Sequence, residues 1–338
     1  MGSDQKNKKE ISFSRSVFLP VTNLCRNNCS YCGFRRDPEE GAWFLSKKEV
    51  LELAKRGRER GCSEALFTLG ERPEVYDSVK KRLDEWGYSG TVDYLEDLCK
   101  SVLDIDLLPH VNPGILEKRE LEKLRSWSAS MGLMLESTAE LPAHDDSPGK
   151  DPNLRLKTIA EAGKLKIPFT TGLLVGVGES REDRKESLLE IRDLNRKYGH
   201  IQEIIIQPFA PKAGTLMGNA PPPSYSKILS TVEEARRLMP EMNIQVPPNL
   251  IDNGKIIGLI RAGVNDLGGI SNVTPDFINP ENPWPSIPEL KDMLESKDFK
   301  LRERLPIYPE FVLDDKFMSS KTQEKIRKMA DESGYRRA

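Results

Sequence analysis

The sequence predicts an α/β fold, a single (β/α)8 barrel, from three observations. The chain has 338 residues, an ordinary size for one such barrel. Short β-branched or apolar runs alternate with amphipathic helical segments, as parallel strands joined by helical crossovers require. Long turn-rich loops at residues 141–153, 208–224 and 274–288 follow strand candidates and would gather on one face. A doubly wound open sheet shares this alternation, and in both topologies chemistry belongs at the C-terminal ends of the strands.

Eight strand candidates follow in order: residues 17–22, 65–69, 107–112, 132–136, 169–175, 203–207, 244–247 and 264–267. The helices between them carry their own signals. Ser46 with Glu49, and Ser180 with Asp183, are capping boxes, in which hydroxyl and carboxylate satisfy N–H groups that the first turn leaves orphaned. Leu121, Leu124 and Trp127 give one helix a face to bury. Leu188, Ile191, Leu194 and Tyr198 do so in a second, and Ile228, Val232, Ala235 and Met239 in a third. The expected organisation is a flexible N-terminus at 1–10, the barrel at 11–285, and a C-terminal helical extension at 286–338 packed on the barrel.

Lys and Arg total 51 against 53 Asp and Glu, a net charge of −2. A binder that neutralises nucleic-acid phosphates carries a basic excess, so none is expected as a partner. No apolar run approaches the ~20 residues a membrane span needs. The opening MGSDQKNKKE has no apolar segment behind it, so no secretory signal is expected. Of five cysteines, Cys25, Cys29 and Cys32 fall within eight residues, while Cys62 and Cys99 stand alone as ordinary small apolar residues. Clustered cysteines without an export signal suggest metal ligation in a reducing, cytoplasmic compartment.

The triad has the spacing C-x3-C-x2-C, on the loop after the first strand. Iron–sulfur clusters are held by thiolates, and a four-iron cluster normally takes four. Three thiolates would leave one iron open to a small molecule, as catalytic metal sites are open. A structural zinc site is the alternative, but it wants four ligands, and His110, His144 and His200 all lie far from the triad in sequence.

With Tyr31 at its aromatic position, this motif resembles that of the radical S-adenosylmethionine (SAM) superfamily. The resemblance implies a barrel of the radical SAM kind and one 4Fe–4S cluster whose open iron chelates SAM, the cosubstrate. An external donor supplies the electron, and the 5'-deoxyadenosyl radical released takes a hydrogen atom from the substrate. It also implies SAM contacts at Tyr31 (near the adenine), at Gly70 and Glu71 (the methionyl amino group), and at Glu136 and Ser137. Arg155 would pair with the SAM carboxylate, and Gly176 and Gly178 would back the adenine.

Five segments together are similar to a narrower family, the CofG subunit of deazaflavin (FO) synthase. They are FSRSVFLPVTNLC at 13–25, TLGERPE at 68–74, PHVNPG at 109–114, PFTTGLLVGVGE at 168–179 and NDLGGIS at 265–271. This resemblance implies a role in coenzyme F-420 biosynthesis. A CofH partner would join a tyrosine-derived hydroxybenzyl group to 5-amino-6-(D-ribitylamino)uracil. The CofG-like chain would close the third ring of that adduct and release ammonia. His110, Asn112, Gln207, Asn265 and Asp266 are the expected substrate contacts, with Asn265 and Asp266 at the mouth of the eighth strand. No catalytic base is assigned. Two alternatives remain: another enzyme of the biotin synthase or hydrogenase maturase branch, and a non-catalytic iron–sulfur carrier.

Overall fold

The computed structural model describes residues 9–337. Strand β1 (Lys9–Thr22) leads into α1 (Lys47–Glu59), β2 (Glu64–Leu69), α2 (Asp77–Glu85), α3 (Thr91–Asp104), β3 (Leu108–Asn112) and α4 (Lys118–Arg125). After β4 (Ser130–Gly132) come α5 (Pro152–Lys164), β5 (Phe169–Val175), α6 (Arg181–Tyr198), β6 (Ile201–Pro208) and α7 (Tyr225–Leu238). The chain continues through β7 (Ile244–Gln245), α8 (Asn253–Ala262), β8 (Asp266–Ile270), α9 (Ile287–Glu295), β9 (Phe299–Arg304), α10 (Pro309–Val312) and α11 (Gln323–Met329). Each strand from β2 to β8 pairs with its sequence neighbour, and β1 pairs with both β8 and β2, all in parallel. That closes the eight-stranded barrel the alternation predicts. Among the described residues no helix is long and apolar enough to cross a membrane.

The barrel's outer face and the helices share one apolar core containing Val17, Phe67, Leu98 and Ile191. Packing there is tight: a Cβ on Gly57 would sit 2.5 Å from Val17, so α1 lies against β1 only because residue 57 is glycine.

Several boundaries depart from the sequence reading. Strand β1 is longer than the expected 17–22. In residues 9–16, Ile11 and Phe13 alternate with Ser12 and Ser14, a period-two pattern whose polar members are buried and resemble a solvent face. Residues 1–8 of the expected flexible terminus lie outside the described residues, whereas Lys9 and Glu10 pair with Phe299 and Lys300. The extension expected to be helical also holds β9, which takes the lower edge of β1 beneath β2. Strand β4 ends at Gly132 rather than Glu136: the Leu135 N–H goes to the Thr171 hydroxyl (3.2 Å) in place of a ladder carbonyl, and Glu136, at φ 67°, pairs with Leu173 only as an isolated bridge. Strand β8 starts late because the Val264 N–H still bonds Leu259 at the end of α8.

The segment after β9 stoppers the lower end of the barrel. The Pro306 carbonyl accepts from Ser130 (2.6 Å) and Gln202 (3.1 Å), and the Tyr308 hydroxyl donates to Glu203 (2.6 Å). Here Glu64, Glu203 and Asp266 surround one buried guanidinium, Arg304. Burial pushes the Glu64 carboxyl from its ordinary 4.5 up to about 7, against the pull of Arg304. A carboxyl raised on folding contributes stability below its ordinary value that is lost as pH climbs through the folded one. Glu64→Gln should therefore raise Tm relative to the parent more at pH 8 than at pH 5, by about 2 °C or more. Equal Tm differences at the two pH values would refute this.

Candidate active site

The cysteine loop leaves β1 at the upper, C-terminal rim of the barrel, where Cys25 and Cys32 are half-buried and Cys29 is buried. All three thiols are free and line one cavity of about 420 Å³ that runs down the barrel interior. The loop is strapped to the 141–150 segment. Asn28 donates to the Asp146 carbonyl (3.0 Å), Ser30 to the Ala143 carbonyl (3.0 Å), and the Asn27 side chain accepts from Gly149 N (2.7 Å).

The donor set suits thiolates. Backbone N–H groups of Asn27 (3.4 Å) and Glu71 (3.2 Å) point at the Cys25 sulfur, and the Ser147 hydroxyl points at Cys29 (3.3 Å). Burial pushes both thiols up, and Lys150 draws Cys29 back down. Among the described residues no three His, Cys, Asp or Glu side chains converge on one metal ion. A four-iron cluster takes one thiolate per iron, so three free thiols on the wall of one cavity suit its corners, whereas a structural zinc wants four ligands.

Glycines clear the ground beside the triad. A Cβ on Gly70 would lie 2.0 Å from the Leu24 carbonyl oxygen and 2.7 Å from the Cys25 Cβ. One on Gly149 would lie 1.9 Å from a Glu71 oxygen. Gly70→Ala should therefore displace the cysteine loop and lower iron retained per chain several-fold. An iron-to-protein ratio equal to the parent's would count against this.

Glu71 accepts from Arg26 (2.8 and 2.5 Å) and from Ile115 N (3.1 Å). Glu136 accepts from the Tyr31 hydroxyl and from Lys150, with His144 3.2 Å away. Burial opposes ionisation of Glu136, but Lys150, His144 and Arg155 outweigh it and hold the carboxyl well below the usual carboxylate range. Burial, with Glu136 alongside, drives the Tyr31 hydroxyl well above its ordinary value. Arg155, on the first turns of α5, lies 3.9 Å from both Glu71 and Glu136. The positive φ of Glu136, rare for a buried non-glycine, is strain of the kind that collects at functional sites.

Of the expected contacts, the structure brings Tyr31, Gly70, Glu71, Glu136, Arg155, His110, Asn112 and Gln207 to the cavity wall. Burial pushes the His110 imidazole down to about 4, and its Nδ1 lies 2.7 Å from Ser130 Oγ. Five positions lie off the wall. Ser137 turns its hydroxyl to accept from Ala139 N (3.1 Å). Gly176 and Gly178 form a left-handed turn whose Gly176 and Val177 N–H groups go to Glu179. Asn265 and Asp266 precede and begin β8 instead of ending it, so they sit at the lower end of the barrel. There Asn265 holds Ile244 N (2.8 Å) and Asp266 holds Arg304.

Sequence reasoning missed His144, Lys150 and Lys212. The first two sit in a loop with no periodicity, and the third packs against Gly33 beside Cys32. Cys62 and Cys99 are fully buried in the apolar core, and burial pushes the Cys62 thiol up to about 11. Neither lines the cavity, so neither is placed to hold a second cluster there.

Residues 19–191 match the Radical SAM superfamily. A 7,8-didemethyl-8-hydroxy-5-deazariboflavin synthase of Methanosarcina mazei is 52% identical over 97% of this chain and 96% of its own length. One from Methanopyrus kandleri is 49% identical over 97% of this chain and 100% of its own. The chain belongs to this deazaflavin synthase family of the radical SAM superfamily. Among solved structures, the FeFe-hydrogenase maturase HydG of Carboxydothermus hydrogenoformans shares the barrel, with TM-score 0.72 and 22% identity over 96% of this chain and 76% of that one. Radical SAM membership implies a 4Fe–4S cluster and SAM, and the cysteine rim of this deazaflavin synthase fold is where three free thiols meet the cavity.

Proposed function

We propose that this chain is the ring-closing subunit of deazaflavin synthesis. It would convert 5-amino-5-(4-hydroxybenzyl)-6-(D-ribitylimino)-5,6-dihydrouracil to 7,8-didemethyl-8-hydroxy-5-deazariboflavin (FO) with loss of ammonia. The observation that carries this reading is the single cavity that joins three free thiols to a buried carboxylate–guanidinium cluster at one end of a closed barrel.

Cys25, Cys29 and Cys32 hold the cluster. Bound there, cluster and SAM supply one-electron cleavage of the sulfonium and the radical that takes a hydrogen atom. The chain's own residues bind and orient. Glu71 and the carbonyls around Gly70 receive the methionyl ammonium, and the Arg155 fork receives the carboxylate. Tyr31, gripped by Glu136 and under the Lys150 ammonium (5.9 Å), presents its ring to the adenine. Asn112 and Gln207 reach the substrate from the upper wall, while Phe209 and Leu174 keep water from the reacting carbon. His110 is a weak base at its lowered value, and no side chain is assigned as proton acceptor. An adduct-forming CofH subunit, an external electron donor and a cytoplasmic setting complete the proposal.

The test is an anaerobic assay of the reconstituted, reduced protein with SAM, tyrosine, the ribitylaminouracil and CofH. Deazaflavin fluorescence together with 5'-deoxyadenosine is expected. SAM cleavage without deazaflavin, given a CofH shown to be active, would sink the substrate assignment.

A further inference from the structure

Barrels of this type are ordinarily filled with branched aliphatic side chains, yet below the cysteine rim this one turns polar. Moving down β2, the wall passes from Thr68 through Leu66 to Glu64; down β6, it passes from Gln207 through Ile205 to Glu203. Thr170, Gln245 and Arg304 complete a floor that faces the same cavity as the cysteines.

Acceptors outnumber donors there. Arg304 directs its N–H groups to Asp266 (2.7 and 2.9 Å), Glu203 (3.4 Å) and the Leu305 carbonyl (3.0 Å). Glu203 also accepts from Tyr308 (2.6 Å) and Thr170 (2.8 Å). Among the described residues, only the Ser14 hydroxyl donates to Glu64. The Gln245 amide, on a residue 9% exposed, has no hydrogen-bond partner among the described residues. Space is kept for it by Gly268, where a Cβ would lie 2.2 Å from Gln245 Nε2. Stability does not account for this floor. Replacing buried ions by apolar side chains of similar volume is often neutral or stabilising, and the Gln245 amide opens to the cavity without a partner among the described residues.

We propose that this floor binds the polyol chain of the substrate, with the Glu64 carboxyl and the Gln245 amide taking its hydroxyls. This rests on the reading above, in which the substrate carries a ribityl group. Each hydroxyl donates one hydrogen bond and accepts two, so it satisfies both an acceptor lacking donors and an amide lacking partners. The geometry agrees, because Glu64 lies four residues below Thr68, about 13 Å along the strand. A flexible chain reaching to that depth leaves the reacting carbon near the rim, beside the cysteines.

The test measures binding to the reconstituted holoenzyme by deazaflavin fluorescence. The probes are FO and an analogue with methyl in place of the ribityl chain. The parent should bind FO about tenfold or more tightly than the methyl analogue. Glu64→Leu and Gln245→Leu should each lose most of that preference while holding the methyl analogue and SAM as the parent does. Should Glu64→Leu fail to fold, Gln245→Leu carries the test, since its amide bonds nothing in the protein. Equal binding of the two probes by the parent, or full preference in the variants, overturns the floor assignment and leaves the proposed reaction standing. Binding of neither probe by the parent overturns the reaction and the floor together.

Discussion

Cys29→Ala should leave the barrel folded and remove both bound iron and SAM cleavage. Cys29 belongs to none of the apolar clusters, so truncating it opens no gap in the core. The Ser147 hydroxyl donates to its sulfur and the Lys150 charge lies nearby, both of which favour a ligand thiolate over a packed thiol against the opposing Glu136 carboxylate. Without it, one iron of the cluster loses its protein ligand, and 5'-deoxyadenosine formation should fall roughly a thousandfold or more, about 4 kcal/mol of barrier. The same change at Cys62, which is buried in the apolar core and does not line the cavity, should keep both iron and cleavage. Iron analysis, visible absorbance and product mass spectrometry after reconstitution decide the matter. A Cys29→Ala protein with the parent's iron content and cleavage rate would refute the assignment.

The parts of this molecule that could be read from sequence obey short-range rules. The Ser46 and Ser180 boxes form as expected, since capping depends on residues three apart. Strand β5 runs over the expected 169–175 because seven consecutive buried residues have no solvent face to blur the pattern. The cysteine triad was legible because its ligands lie on one loop. What was missed depends on contacts distant in sequence. Strand β9 exists because β1 offers it an edge about 290 residues away, and FKLRER alone, with four charges, reads as surface. Asn265 and Asp266 were misplaced because the end of α8 delays β8, and a shift of two residues there exchanges the mouth of a barrel for its floor. Glu64 did carry a signal, an acidic residue directly ahead of the apolar run at 65–67 in the strand EALFTL. Its partners Ser14, Glu203 and Arg304 come from three other strands, so its meaning emerges only after closure.

Arg155→Ala should damage fold and function together, and Arg155→Lys should separate the two. The guanidinium is 4% exposed; its Nε donates to the Gly149 carbonyl (2.8 Å) and its Nη1 to that of Met134. It also supplies positive charge 3.9 Å from both Glu71 and Glu136. Removing one partner from a buried ionic group costs about 3–5 kcal/mol when the remainder is left bare. Here Glu71 keeps Arg26 and Glu136 keeps Lys150, so a loss of about 2–3 kcal/mol, the scale of charged hydrogen bonds, is expected from denaturant unfolding of the metal-free protein. Lysine restores the charge and most of the stability but cannot reach two carbonyls and a ligand carboxylate at once, because its ammonium is a point and not a fork. The KM for SAM of the loaded Arg155→Lys enzyme should therefore rise roughly a hundredfold, near 2.7 kcal/mol, while its unfolding midpoint stays close to the parent's. Parent-like KM in Arg155→Lys would make Arg155 a brace for the 149–155 segment and nothing more. Parent-like stability in Arg155→Ala would show instead that Arg26 and Lys150 suffice to hold the two carboxylates.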